Sequence, residues 1–177
     1  LFSIITVVYN DAENLEKTIK SLLAQSYKGF EYIVIDGGSN DNTLDVVNRY
    51  KEQIDYFVSE PDKGIYDAMN KGIKAANGKF INFLNAGDIF YSAASLHLVS
   101  RTAYQYTRTE IFYGQALRIS SEKSRLKFIK GGIITPSNLF TSIPFCHQAI
   151  FYSTSLFEEI GLYDASYKVT ADYQWLI

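Results

Sequence analysis

The sequence predicts an α/β protein: a mostly parallel sheet flanked by helices, with a smaller mixed or antiparallel extension. Two observations carry this expectation. The first half alternates strand-length apolar runs with stretches of helical periodicity, the pattern of right-handed βαβ units. The second half changes to short aromatic and β-branched pieces set apart by Gly, Ser, Lys and Pro.

In chain order, "FSIITVVYN" at residues 2–10 is an almost unbroken apolar run rich in β-branched residues, as expected of a strand covered on both faces. Asn10 or Asp11 can cap the helix that follows, where Leu15, Ile19, Leu22 and Leu23 fall on one face. "FEYIVID" is a second strand. In "GGSNDNT", Ser39, Asn40 or Asp41 can cap a second helix with Leu44, Val47 and Ile54 as its apolar stripe. "DYFVSE" is a third strand, and "GIYDAMNKGIKAANG" a helix carrying Ile65, Met69 and Ile73 on one side. Gly78 is expected to supply the left-handed residue that ends this helix. "KFINFLN" is the fourth strand, and a helix around Leu96, Leu98 and Val99 follows. "EIFYG", "ALRIS", "LKFIK" and "QAIFYS" are the strands of the extension.

The chain has 177 residues, 47% of them hydrophobic and 20% charged, which suits one soluble domain with a substantial core. The seam near Tyr91 to Glu110 is read as dividing two halves of that domain. A net charge of −2 without a basic block excludes the electrostatic footprint of a nucleic-acid binder. The single Cys146 cannot form an internal disulfide, and no secretory leader opens the chain, so a reducing cytoplasmic location is expected. No apolar run approaches the roughly 18 residues of a membrane span.

In open parallel sheets, ligands bind beyond the carboxyl ends of the strands. There the sequence places Tyr9-Asn10, Asp36, Glu60-Pro61-Asp62-Lys63 and Asn85-Ala86-Gly87-Asp88. Any one of them could be turn or cap chemistry, but four in register argue for a site. Neither G-x-G-x-x-G after the first strand nor a G-x-x-x-x-G-K-[ST] loop is present, so phosphates must be held otherwise. A carboxylate tolerates a diphosphate when a divalent cation lies between them, which makes Asp88 the natural metal ligand.

Together "TVVYN", "VIDGGSNDNT", "SEPDKGIYDAMNKGIKAANGKFINFLNAGD", "PFCHQAIFY" and "ADYQWLI" resemble the family 2 glycosyltransferases of GT-A fold, closest to the subgroup that builds bacterial surface polysaccharides (O-antigen, capsule, exopolysaccharide). The resemblance covers nearly the whole chain. It implies a Rossmann-like sheet and an inverting transfer of sugar from a nucleoside diphosphate donor, UDP-sugar favoured, to a glycan or lipid-linked acceptor in bacterial polysaccharide biosynthesis. It also implies Mg²⁺ or Mn²⁺ at Asp88, in a variant of the family's D-x-D motif in which Asn85 stands where an Asp is usual. Asp172 inherits the role of general base; the alternative is an ordinary first-turn acid of a final helix. Asp36 is implied near the nucleotide base and Tyr9 against the nucleoside. Thr6, Tyr9, Asp36, Asp62, Lys63, Gly64, Asn85 and His147 are the candidate donor contacts. Lys63 could supply the positive charge that the family often carries as an Arg where this chain has Met69. His147 is read as an acceptor or phosphate contact, with a structural histidine as the alternative, and Cys146 as an inert core thiol.

Residues 1–91 are thus expected to be the nucleotide-sugar-binding half and residues 110–177 the acceptor-side half of a single glycosyltransferase domain over residues 1–177, cut short at its C-terminus. Missing segments could associate peripherally with the inner face of the cytoplasmic membrane. Two other readings are a non-catalytic nucleotide-sugar-binding module and a sugar nucleotidyltransferase. The latter needs a Gly-rich basic loop after the first strand, and "VVYNDAEN" has neither glycine nor arginine.

Overall fold

The computed structural model describes residues 1–119, 126–129 and 146–176. Its first half comprises β1 (Phe2–Val8), α1 (Ala12–Leu23), β2 (Phe30–Asp36), α2 (Thr43–Arg49), β3 (Tyr56–Ser59), α3 (Ile65–Ala75), β4 (Phe80–Phe83) and α4 (Ser95–Gln105). Its second half comprises β5 (Ile111–Tyr113), β6 (Ala116–Ile119), β7 (Leu126–Ile129), β8 (Ile150–Ser153), α5 (Thr154–Ile160) and α6 (Ala171–Leu176).

Six strands form one sheet in the order β3-β2-β1-β4-β8-β5. The strands β1 to β4 run parallel, and β8 is antiparallel to both β4 and β5. The pair β6 and β7 forms a separate antiparallel ladder. The chain winds outward from β1 through β2 to β3, then crosses to β4 on the other side of β1. A crevice therefore opens between the carboxyl ends of β1 and β4, where strand order reverses.

Every residue of β1 is buried, because helices cover both faces of the sheet. The pleat deals its side chains alternately: Ile5 and Val7 join Ile33, Ile35, Ile81 and Phe83 under α3. On the other face Phe2, Ile4 and Val8 pack with Tyr32, Val34, Leu15, Ile19 and Leu22. Full burial of each such side chain is worth about 1.5–3 kcal/mol, which makes this sheet a rigid platform for the loops at its end.

Several local expectations are corrected. Gly78 is not a left-handed helix terminator: α3 ends with Ala76 in extended conformation, and Gly78 lies outside the positive-φ glycines. It is demanded by proximity, since a Cβ there would lie 2.6 Å from the Ser3 amide nitrogen. Leu44 is exposed, and Val46 takes its place beside Val47 in the core. The start of "QAIFYS" is a 3₁₀ turn over His147–Ala149, and the strand proper is Ile150–Ser153. The start of α1 is capped from another loop. The Asp41 carboxylate accepts the Ala12 N–H at 3.3 Å and the Thr43 hydroxyl oxygen the Asp11 N–H at 3.2 Å. The Pro144-Phe145 part of the "PFCHQAIFY" motif lies outside the described residues.

Candidate functional site

The loop after β1 carries Tyr9 out to 63% exposure at the mouth of the crevice. Two bonds pin it to the loop after β2: Asn10 N–H to Ser39 Oγ at 2.7 Å and Asn40 N–H to Asn10 Oδ1 at 2.8 Å. Tyr9, Asp62, Gly64 and Ile65 line an open pocket of about 270 Å³. Gly37 packs against two of these residues; a Cβ there would meet Asp62 Oδ2 at 2.5 Å and the Tyr9 ring at 3.4 Å, so no larger residue leaves both in place.

Asp36, at the end of β2, is fully buried. Its carboxylate accepts the N–H groups of Gly38 at 3.2 Å and Ser39 at 3.0 Å, the Ser59 hydroxyl at 2.5 Å and the Ser39 hydroxyl. Four donors from two loops saturate the charge that burial would otherwise penalise. The chemistry of Asp36 is thus to shape the Gly37–Ser39 loop from beneath. Asp62 is also a loop organiser, accepting the Gly64 N–H at 2.9 Å, but it keeps a face to the pocket. Lys63 is exposed at the start of α3, its backbone N–H held by Asp67 at 3.0 Å.

The turn after β4 lies against β1 through the Ala86 N–H to Val7 C=O bond at 3.3 Å. It closes with the Asp88 N–H on the Asn85 carbonyl at 2.9 Å. Thr18, buried in α1, grips this turn: its hydroxyl donates to the Asp88 carbonyl at 2.8 Å and accepts the Gly87 N–H at 3.0 Å. Partial burial holds the Asp88 carboxyl above its ordinary pKa. The Asn85 Oδ1 atom is buried without a partner among the described residues. Those residues hold no group of three or more His, Cys, Asp or Glu side chains that could converge on a metal. An oxygen-only donor set of one carboxylate and one amide still suits a hard divalent cation that takes its remaining ligands from phosphate and water.

Asp172 lies in the first turn of α6. Its Oδ1 accepts the Tyr66 hydroxyl from α3 at 2.7 Å, and its Oδ2 lies 3.7 Å from His147 Nδ1. Trp175, one turn further along α6, stacks on Phe157 at 4.5 Å and donates from Nε1 to the Gly161 carbonyl at 2.7 Å, fixing the helix against the sheet. The His147 side chain, 10% exposed, is stacked on Phe83 at 5.1 Å, with Nδ1 at 3.2 Å from the Tyr152 hydroxyl. Burial pulls its pKa down to about 4, against the opposing pull of Asp172, so the ring is neutral near pH 7. Cys146 is half-buried and donates to Gln148 Oε1 at 2.8 Å. Burial raises its thiol pKa, with smaller upward pushes from both Asp88 and Asp172, so the two carboxylates face one neighbourhood.

Of the candidate residues, Tyr9, Asp62 and Gly64 share the pocket, Lys63 sits at its rim, and Asn85 and Asp88 form the adjoining turn. Two candidates, Asp36 and Thr6, are fully buried. The Thr6 hydroxyl is spent on the Leu84 carbonyl at 2.7 Å and on the Tyr32 hydroxyl at 3.1 Å. His147 stands beside Asp172 and is stacked on Phe83. Sequence reasoning missed Thr18 and Tyr66. Each sits on the buried face of its helix, Thr18 between Leu15 and Leu22 and Tyr66 ahead of Met69 and Ile73. A hydroxyl in an apolar stripe must find a partner, and that was the available signal.

Residues 3–161 match the family described as glycosyl transferase family 2. A protein called PGL/p-HBAD biosynthesis glycosyltransferase, from Mycobacterium bovis, is 34% identical over 180 residues, covering 100% of this chain and 68% of the relative. Among solved structures, S. aureus TarS 1-349 in complex with UDP superimposes with a TM-score of 0.78 at 20% identity. The mannosyltransferase PcManGT from Pyrobaculum calidifontis, in complex with GDP-Man and Mn²⁺, does so with a TM-score of 0.67 at 18% identity. These matches cover 98% and 97% of this chain but 53% and 49% of the respective structures, so the chain spans about half their length. Among the described residues, no helix is long and apolar enough to cross a membrane.

Proposed function

The chain belongs to glycosyl transferase family 2 and has the GT-A fold, and on that premise we propose that it carries out an inverting transfer from a nucleoside diphosphate-sugar. The observation that carries the reading is the placement of Asp172, a partly exposed carboxylate with one oxygen tied to Tyr66 and the other facing a neutral His147.

The donor's nucleoside lies against Tyr9, in the pocket bounded by Asp62 and Gly64, with Gly37 leaving the Asp62 and Tyr9 side chains room to stand together. Lys63 at the rim offers a positive charge to the diphosphate. Asp88 and Asn85 would hold Mg²⁺ or Mn²⁺, which when bound neutralises charge on the leaving diphosphate. Asp172 takes the proton from the acceptor hydroxyl. As it does so, the acceptor oxygen forms a bond to the anomeric carbon, and the bond from that carbon to the diphosphate oxygen breaks. The electron pair of the broken bond leaves with the nucleoside diphosphate, and Asp172 later returns its proton to solvent. Attack opposite the leaving group inverts the anomeric centre, so one base suffices and no covalent glycosyl-enzyme forms.

A UDP-sugar is the donor we assign, supported by the UDP held in the TarS structure, and a glycan or lipid-linked molecule is the acceptor. The setting is bacterial polysaccharide biosynthesis at the cytoplasmic side of the membrane, with residues 1–91 binding the donor and residues 110–177 facing the acceptor.

Two measurements test the reading. Thermal stabilisation by UDP, GDP, dTDP and CDP, with and without Mn²⁺, should single out one nucleotide; a ligand at 100 times its Kd adds about 2.7 kcal/mol of stability. Asp172→Asn should lower transfer by about 10²- to 10⁴-fold, the usual worth of a general base, while the nucleotide still stabilises the protein. Transfer at the parental rate in that variant overturns Asp172 as the base. Nucleotide binding with no transfer by the parent favours a binding module.

A further inference from the structure

We propose that Tyr66 is a positioning residue that decides which oxygen of Asp172 acts as the base, holding Oδ1 so that Oδ2 receives the acceptor's proton. This deepens the reading of Asp172 as the base and rests on it.

Asp172 stands in the first turn of α6, where no bond of the helix's own backbone ladder reaches the side-chain carboxylate. The connection leading into it passes through Thr170 at φ 68, a conformation an unrestrained threonine avoids. Something outside α6 must therefore fix the carboxylate. Trp175 fixes the helix as a body, but it does not touch the carboxylate oxygens. Tyr66 does, through the 2.7 Å bond from its hydroxyl to Oδ1. Its ring is 7% exposed and meets Tyr163 edge-on at 5.7 Å, so the phenol is anchored in the core beneath the sheet's helix and moves little.

The second oxygen is left differently. His147 Nδ1 at 3.7 Å from Oδ2 is beyond hydrogen-bonding distance, and the ring's neutrality removes the charge that could tie it there. Among the described residues Oδ2 has no hydrogen-bond partner, so it keeps its lone pairs for an incoming hydroxyl while Oδ1 is occupied. The titratable groups facing Asp172 are Tyr66 from α3, His147 and Cys146 from the turn before β8, Tyr152 from β8, and Tyr163 from the connection between α5 and α6. Burial first, and the Asp172 carboxylate second, push the Tyr66 hydroxyl up to about 12, so it stays a donor. Burial likewise raises Cys146, Tyr152 and Tyr163 and lowers His147. All five are neutral near pH 7, and Tyr66 is the one among them that hydrogen-bonds this carboxylate.

The test is Tyr66→Phe in the complete enzyme, read as kcat, KM for the nucleotide sugar and melting temperature. The expected result is a kcat about 10- to 100-fold lower, the worth of a hydrogen bond to a charged group, with an unchanged donor KM. A purely structural role would not split kcat from KM and melting temperature in this way. Tyr66 replaced by a ring-fluorinated tyrosine, which keeps both the shape and the donor, should restore kcat to near the parental value, and it guards against loss of folding in the phenylalanine variant. A parental kcat in Tyr66→Phe while Asp172→Asn abolishes transfer overturns the positioning role alone. Full transfer by Asp172→Asn overturns the base assignment beneath it.

Discussion

The Thr18 hydroxyl donates to the Asp88 carbonyl at 2.8 Å across 70 positions of sequence, tying the middle of α1 to the turn that ends β4. The same hydroxyl accepts from Gly87, so one buried oxygen organises both peptide groups on which the Asp88 side chain depends. Thr18→Val keeps the shape but leaves the Gly87 N–H and the Asp88 carbonyl unpaired. Denaturant unfolding should show a loss of about 1–3 kcal/mol. The Mn²⁺-dependent part of nucleotide stabilisation should shrink with it, and Thr18→Ser should restore most of both.

Gly37→Ala addresses the packing of the pocket residues Asp62 and Tyr9. The added methyl would stand 2.5 Å from Asp62 Oδ2, which is the end of a side chain and can swing aside. The expected outcome is a nucleotide affinity about tenfold weaker by titration calorimetry, equivalent to about 1.4 kcal/mol, with a nearly unchanged melting temperature. An equal loss in both would mean that the loop itself had collapsed.

Asp36→Asn should act on stability before it acts on ligands. The carboxylate accepts from Gly38, Ser39 and Ser59, and an amide presents two hydrogens where one of its oxygens stood. A buried donor left unpaired costs about 1–3 kcal/mol, to be read from chemical denaturation at neutral pH.

His147 makes stability depend on pH in a defined direction. Burial lowers its pKa in the folded chain to about 4 from the ordinary 6.5. Between those two values the unfolded chain binds the proton and the folded chain does not. Stability therefore falls as pH drops from about 6.5 towards 4 and is not altered by this group above that window. Denaturation at a series of pH values should show a shallower dependence in His147→Gln than in the parent; parallel curves would count against a neutral buried ring.

Much of the architecture was legible because its cause is local. The β-branched run from Phe2 to Val8 could be read as a doubly covered strand, and Leu15, Ile19 and Leu22 as one helix face, since backbone geometry sets both periods. Gly78 shows where local reading stops. A glycine after a helix suggests a left-handed terminator, yet what excludes a side chain there is Ser3, 75 positions away. Thr6 marks the same boundary within the site: it is a polar residue next to functional segments, and only packing sends its side chain into the core.

By itself the sequence determined the order of strands and helices, the two faces of the core, and the presence of acids at the strand ends. Periodicity and turn chemistry act over a few residues, and they write these features directly into the chain. Tertiary structure alone decided that Asp36 is tied to Ser59, that Thr18 holds the Asp88 turn, and that Tyr66 meets Asp172. A polar side chain's role depends on which partner satisfies it, and here those partners come from segments that only the folded sheet brings within 3 Å.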